Sequence, residues 1–434
     1  MADPTAALPA GTDPARTGAG ADPARWPDVA RVPAAPLRAA VAGRLLARIA
    51  RRHGLRVELP DGRPMVAAPA GAPVLRLHRP GDFLRRIGAG GLIGFGESYQ
   101  AGDWDSPDLV ALLTALAADP AALVPPGTHW LRRLYVQRPP ATERGSSRYT
   151  RRNIQRHYDL SNDLFALFLD RTMSYSAALF PTDLTSGAPL ADWAALPTAQ
   201  HRKIDRLLDL AGVGPGRTVL EIGTGWGELA IRAARRGARV VSLTLSAEQL
   251  ALARRRIAEA GLADRAEVRL CDYRSAEGSY DAVVSVEMIE AVGRSYWPAY
   301  FATLDRVLAP GGRVALQSIT MPHRRMLATT DTYTWILKYI FPGGQIPSTE
   351  GLAEAAARHS SLRLTEDQGF GPHYAETLRL WRERFTDRSE EVAALGFDPV
   401  FERMWELYLA YSEAGFRTGY LDVRQLLLTR EDGR

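Results

Sequence analysis

Two residue types are nearly missing from this chain of 434 residues. It has one cysteine, Cys271, so it cannot build a disulfide framework of its own, and a reducing compartment is expected. Lysine is almost as scarce: Lys203 and Lys338 are the only two, which leaves 52 of the 54 basic residues as arginine. With abundant alanine, proline and glycine, that bias reads as codon usage. The pI near 9.4 is therefore weak support for a nucleic-acid partner. No run of about 18 apolar residues occurs, so no helix is expected to span a membrane. The opening stretch MADPTAALPAGTDPARTGAGADPARWP lacks the basic start and apolar core of a signal peptide, and a cytoplasmic location is expected. Apolar residues at 46% and charged residues at 24% are ordinary globular values, with length enough for two domains.

Composition divides the chain. Residues 1–32, rich in Ala, Pro, Gly and Asp, read as a disordered tail. A smaller α+β N-terminal domain follows over 33–136. It opens on a helix in which Leu37, Val41, Leu45 and Ile49 repeat at i+4, with Arg44, Arg48 and Arg52 beside them. Nothing in it has metal-ligand spacing. A basic linker is expected over 137–152; from Arg132 to Arg156 there are eight arginines and one acid, Glu143. It is either a solvated connector or an attraction to an anionic lipid surface. From 153 to 434 strands and helices alternate: RTVLEIG, GELAIRAARRG, RVVSLTLS, SAEQLALARRRIAEAG, AEVRLCD, YDAVVSVEM, a helix over 296–308 and GGRVALQSIT. That order predicts an α/β domain with a mostly parallel sheet, whose ligand sits beyond the carboxyl ends of the strands.

The first of those strands runs into VLEIGTGWGELA, with Glu221, Gly223, Thr224, Gly225, Trp226, Gly227 and Glu228 in order. A dinucleotide fingerprint needs a third glycine where Glu228 stands, and an acid at the end of the second strand. LTLS has none. E-x-G-x-G-x-G is instead the pattern of S-adenosylmethionine (SAM)-dependent methyltransferases, in which glycines let the backbone approach the methionine moiety. Asp272, at the end of the third strand, stands where this architecture places an adenine contact. Glu287 and Glu290 end the fourth strand, facing the place from which a methyl group would leave. Buried carboxylates there need a cation, a proton or water as partner.

A longer stretch is more specific. RRNIQRHYDLSNDLFALFLDRTMSYSAALF resembles the opening of the cyclopropane-fatty-acid and mycolic-acid cyclopropane synthases. The likeness continues through LTLSAEQ, DYR, SVEMIEAVG, KYIFPGGQIPS and FRTGYLDVRQ, and reaches back to GLIGFGESYQAGDWD. The resemblance implies a class I SAM-methyltransferase (Rossmann-like) sheet with helical lid insertions. It also implies SAM as methyl donor, S-adenosylhomocysteine as its product, and the double bond of an unsaturated, oleoyl-type phospholipid acyl chain as acceptor. Residue by residue it puts His157 and Tyr158 beside cofactor and active site. Tyr175 and Ser176 contact the amino-acid end of SAM, and Gly223 and Gly225 line it with Trp226 nearby. Thr244, Leu245 and Gln249 surround ribose and adenine, and Tyr273 borders the adenine. Glu221, Thr224, Gly227 and Asp272 complete the expected cofactor set.

The chain also departs from that family pattern. Cyclopropane synthases hold a bicarbonate as base. Their cysteine is Ala177 here, the histidine of their LHTI motif is Gln317, and the histidine of EHVG is Ala291; Glu290, Ile319 and Tyr374 are retained. Bicarbonate is thus in doubt, and a protein carboxylate is expected to replace it, with Glu287, Glu290 and Asp163 as candidates. ALQSITMPH and TWILKYIFPGG look like the actinobacterial branch that makes 10-methylene and, with a reductase, 10-methyl lipids. Methylene formation is the expected outcome, with a cyclopropane as the alternative.

The stripe Phe401, Trp405 and Tyr408, with Met404 beside it, is either core or a lid over the acyl chain. Residues 321–350 are a second tunnel-lining or membrane-facing candidate. The expected partners are a membrane phospholipid, a reductase subunit and a second copy of the chain, with the protein at the inner face of the membrane. A nucleic-acid methyltransferase and a SAM-binding protein without activity are the rival classes. The first would need a thiol near the end of strand four or the N/D-P-P-Y/F signature, and neither occurs.

Overall fold

The structure, a computed structural model, describes residues 20–119, 161–330 and 332–431. The basic linker and the first 19 residues, with His157 and Tyr158, lie outside them. The chain forms two compact units. The first comprises Met1–Arg138, Thr332–Tyr339 and Gly396–Ala414; the second comprises Pro139–Asp331, Ile340–Leu395 and Gly415–Arg434.

In the first unit, β1 (Arg56–Glu58), β2 (Pro64–Val66), β3 (Val74–Leu77) and β4 (Trp104–Asp105) form a sheet of order β2-β1-β3-β4. The stretch GAGGLIGFGESYQ is helical: Pro80–Gly90 and Leu92–Gln100 are two helices separated at Gly91, whose φ of 56° breaks the first. Disorder does not extend through residue 32. Val29, Ala30 and Val32 are buried, and the fully buried Arg86 guanidinium donates to the carbonyls of Asp28, Val29 and Arg31 and to Asp103. A buried guanidinium must fill its donors, and composition could not show that this tail supplies the acceptors. The opening helix is Pro36–Arg52, but its i+4 ridge does not face the core. Leu37 and Val41 are exposed, whereas Ala42 and Ala50 are buried. The aromatic stripe is core in this unit: Phe401, Met404, Trp405 and Tyr408 are at most 5% exposed, and the rings of Phe397, Phe401, Trp405 and Tyr408 succeed one another at 4.3, 5.7 and 5.2 Å.

The second unit is the predicted α/β fold. Its strands are β5 (Thr218–Ile222), β6 (Arg239–Thr244), β7 (Ala266–Leu270), β8 (Tyr280–Val286), β9 (Leu308–Thr320), β10 (Leu362–Gly369) and β11 (Asp422–Arg430), in the order β10-β11-β9-β8-β5-β6-β7. Strands β5 to β9 pair in parallel, and β11 is antiparallel to both of its neighbours. Apolar runs such as TVLEI and YDAVVSV suit strands covered on both faces. Helices Leu196–Leu210, Glu228–Arg235 and Ala247–Glu259 pack a core on one face, and Trp297–Val307 and Thr349–His359 one on the other. After β7 the chain crosses back over β5 to form β8. The carboxyl ends of β5 and β8 therefore meet at the switch point where a ligand crevice is expected.

Candidate active site

The glycine turn leaves β5 with Gly223, Gly225 and Gly227 at φ of 98°, 53° and 91°, conformations that side chains disfavour. Gly227 also carries a packing constraint, because a Cβ there would lie 3.1 Å from that of Ala253. This closeness brings the Glu228–Arg235 helix against its neighbour. A pocket opens over the strand ends, and its lining includes Tyr175, Ser176, Glu221, Gly223, Thr224, Gly225, Trp226, Thr244, Leu245, Gln249, Tyr273 and Glu287. Ser246 caps the Ala247–Glu259 helix by accepting from the Gln249 N–H. The Gln249 side chain thereby reaches Thr244, whose hydroxyl donates to it at 2.9 Å. Trp226 is fixed by Nε1–H donating to Asn162 at 2.7 Å and by the Phe165 ring 4.9 Å away.

Two members of the expected cofactor set stand behind this lining. Gly227 shapes the helix start. The Asp272 carboxylate is engaged by Arg274, at 2.9 and 2.6 Å, and caps the short turn that carries Tyr273. Glu221 is buried with its carboxylate on Ser242, and burial pushes it up to about 8. It therefore holds a proton near neutrality.

At the end of β8 sits a caged carboxylate. Glu287 Oε1 accepts from the Ala177 N–H at 2.9 Å and from Gln317 Nε2 at 2.8 Å, and Oε2 accepts from the Tyr374 hydroxyl at 2.7 Å. The polarity of this cage is fixed by its ends. Arg206 can only donate, and does so to Gln425 Oε1 at 2.7 Å. The Gln425 amide NH₂ thus faces Gln317 Oε1, at 3.0 Å, which leaves the Gln317 NH₂ for Glu287. β9 sets the register, since Gln317 pairs with Val286 on one side and with Gln425 on the other. Glu287 itself has φ 49°, a strained position for a non-glycine residue of the kind found at functional sites.

Burial pushes the Glu287 carboxyl above its ordinary value, while the Lys203 ammonium and the three donors pull it down. Glu290 is pushed up to about 8, by burial first and by Glu287 second. It accepts from the Ile319 N–H and from Ser318 at 3.0 Å, and its Oε2 has no hydrogen-bond partner among the described residues. The Glu287 carboxylate, held charged by its donors, fits a cationic ligand or reaction centre, and beside it the Glu290 Oε2 is a buried polar atom open to a ligand. With the turn glycines, this donor and acceptor set suits SAM and its sulfonium.

Asp163 is not brought into this cluster. It is exposed in the first turn of the Asn162–Phe168 helix, where an acid complements the helix dipole. Cys271 lines the same pocket, at the end of β7, with its thiol donating to the Asp272 carbonyl at 3.3 Å. Three contributors escaped sequence reasoning. Lys203 is fully buried, with Nζ donating to Ser176 Oγ at 2.5 Å; a lysine on the buried stripe of Leu196–Leu210 was the available signal. Arg206 sits three residues on along that helix, and Gln425 lies within the FRTGYLDVRQ stretch.

A sheet of this order, with a glycine turn after its first strand and the pocket over the strand ends, defines the class I SAM-dependent methyltransferase fold. A coclaurine N-methyltransferase structure, 17% identical, shares it with a TM-score of 0.58. The family model for mycolic acid cyclopropane synthetase matches residues 146–426. The tuberculostearic acid methyltransferase UfaA1 of Mycobacterium tuberculosis is 58% identical over 413 residues, covering 94% of this chain and 96% of its own. The cyclopropane mycolic acid synthase MmaA2 of the same organism is 35% identical over 289 residues, 64% of this chain and 96% of its own. Its solved structure covers 64% of this chain and 97% of its own with a TM-score of 0.57. The chain belongs to the mycolic acid cyclopropane synthetase family and is a SAM-dependent methyltransferase.

Proposed function

We propose that the protein transfers the methyl group of SAM to the double bond of an unsaturated phospholipid acyl chain and leaves a methylene branch. The observation that carries this reading is the Glu287 carboxylate on the Ala177 N–H, Gln317 and Tyr374. Those are the positions whose family counterparts, by the resemblance, hold a bicarbonate base. The relationship to a fatty-acid methyltransferase at 58% identity supports a branched product over a ring.

SAM, when bound, supplies the electrophilic methyl group. The alkene is a weak nucleophile, so the site must hold it in line in a dry cavity. The π electrons would form the new C–C bond as the methyl–sulfur bond breaks, its electron pair staying on the sulfur of S-adenosylhomocysteine, and the positive charge falls on the neighbouring alkene carbon. Glu287 and the ring of Tyr374 stabilise that charge. A hydride then migrates between the two former alkene carbons. Glu287 Oε2 takes a proton from the new methyl, and the C–H electron pair becomes the π bond of the C=CH₂ branch. Tyr374 and Gln317 keep the carboxylate oriented for this step. Reduction to a methyl branch needs a hydride donor, which falls to a separate reductase chain.

The test combines purified protein, SAM and vesicles of dioleoyl phospholipid, followed by proton NMR of the released fatty acids. Vinylidene protons of a C=CH₂ branch are expected. High-field ring protons would replace the methylene reading with cyclopropane formation, and no methylated lipid at all would sink the acceptor.

A further inference from the structure

We infer that the Pro36–Arg52 helix is a docking surface for an anionic lipid membrane. Its 17 residues, PLRAAVAGRLLARIARR, hold five arginines and no acid. Leu37 is 84% and Val41 63% exposed, the reverse of what an amphipathic helix does with its aliphatic side chains. At about 100° per residue, Leu37, Val41, Arg44, Arg48, Arg51 and Arg52 all fall within one sector of about 100°. The four arginines are exposed. Arg52 pairs with Asp119 at 2.9 Å, while Arg44, Arg48 and Arg51 form no ion pair among the described residues. A second element extends the apolar end. The Pro80–Gly90 helix packs antiparallel, with Gly88 against the backbone of Arg38 and Leu84 against Gly43. Leu92, 65% exposed, follows just beyond it at the Leu37 end of the pair.

Exposed aliphatics at one end of a helix and arginines without acids along the rest suit a surface with an acyl layer beneath anionic headgroups. Charge complementarity selects that occupant. A second copy of the same helix would set five arginines against five, and a neutral apolar partner would leave three cations without counter-ions. The phospholipid reading supplies only the purpose of such docking; binding is measurable without turnover.

The experiment is co-sedimentation of the full chain, without SAM, with vesicles of phosphatidylglycerol and phosphatidylcholine or of phosphatidylcholine alone. Binding to the anionic vesicles, weakening steeply with salt, is expected. With roughly fivefold per arginine, the combined Arg44→Gln, Arg48→Gln, Arg51→Gln variant should bind about a hundredfold more weakly, and the matching lysine variant should bind normally. Leu37→Ser with Val41→Ser should lose the salt-resistant remainder. Activity on detergent-dispersed lipid should be unchanged in all of them.

Hydrogen exchange on the unsubstituted protein provides the check that needs no variant: amides of residues 36–52 gain protection on vesicles. Vesicle binding without that protection, or equal binding by the glutamine variant, overturns the inference. So does a loss of self-association or of a protein partner with lipid binding intact. Binding here, with no methylated lipid in the separate assay that contains SAM, would instead sink the acceptor reading and leave the docking surface standing.

Discussion

The Tyr374 hydroxyl donates a hydrogen bond to Glu287 Oε2 across 2.7 Å, joining the Gly371–Thr386 helix to the end of β8. This bond both orients the carboxylate and favours its charged form. Replacing Tyr374 by Phe removes a hydrogen bond to a charged group, a loss of about 1.5–3 kcal/mol. We expect kcat to fall by roughly tenfold to a hundredfold. The acid limb of the kcat–pH profile should also move upward, because one of the groups that lowers the Glu287 pKa is gone. An unmoved limb would mean that Glu287 is not the titrating base.

Glu287→Gln should reduce turnover by about 10²–10⁴-fold, the usual contribution of a positioned base, while SAM affinity measured by calorimetry stays near normal. Glu287→Gly is the sharper experiment. Glycine tolerates φ 49°, and the vacated cage keeps its donors from Ala177, Gln317 and Tyr374. Added bicarbonate should then restore part of the lost rate. No response to bicarbonate in a folded Gly variant would count against the equivalence of carboxylate and ion.

Stability should depend on pH in a defined sense. Glu221 and Glu290 rise from 4.5 to about 8 in the folded protein, so folding binds protons to both. Their contribution is complete below about 4.5 and is lost as pH rises through about 8. Lys203, lowered from 10.5 to about 8 by burial, acts in the opposite sense above that point. Thermal melting is expected to fall between about pH 5 and 8, and Glu221→Gln should flatten the slope. A melting temperature rising over that interval would contradict this assignment of protons.

Gly227→Ala combines φ 91° with a Cβ 3.1 Å from Ala253. We expect about 1–3 kcal/mol of destabilisation and weaker SAM binding, seen together in melting and calorimetric titration. In contrast, Trp405→Ala should cost about 3–5 kcal/mol without changing the SAM affinity of the folded fraction, because that ring packs in the first unit.

The glycine turn and the alternation of strands made the second unit legible, since both are local patterns tied to backbone geometry. The Leu37 ridge misleads for a related reason: i+4 spacing reports that a stripe exists and says nothing of which way it faces. Glu287 stood out as one of two acids at the end of the fourth strand. Its cage did not, because one donor is the backbone N–H of Ala177, which any residue would supply. Another, Gln317, is aimed by Gln425, 108 positions away. Asp163 was a candidate as an acid within the stretch that carries the resemblance, and its helix turns it to solvent.

The position of β11 has a consequence for biosynthesis. This strand, the last of the sheet in chain order, is inserted between β9 and β10 and does not lie at an edge. A nascent chain emerging from the ribosome can close the glycine turn and pair β5 to β9 well before Gln425 is made. Until then nothing aims the Gln317 amide, and the sheet has an open slot beside β9. The carboxylate cage is therefore completed only after a strand made 108 residues beyond Gln317 has joined the sheet, and a chain stopped short of that strand would keep the glycine turn and leave the Gln317 amide unaimed.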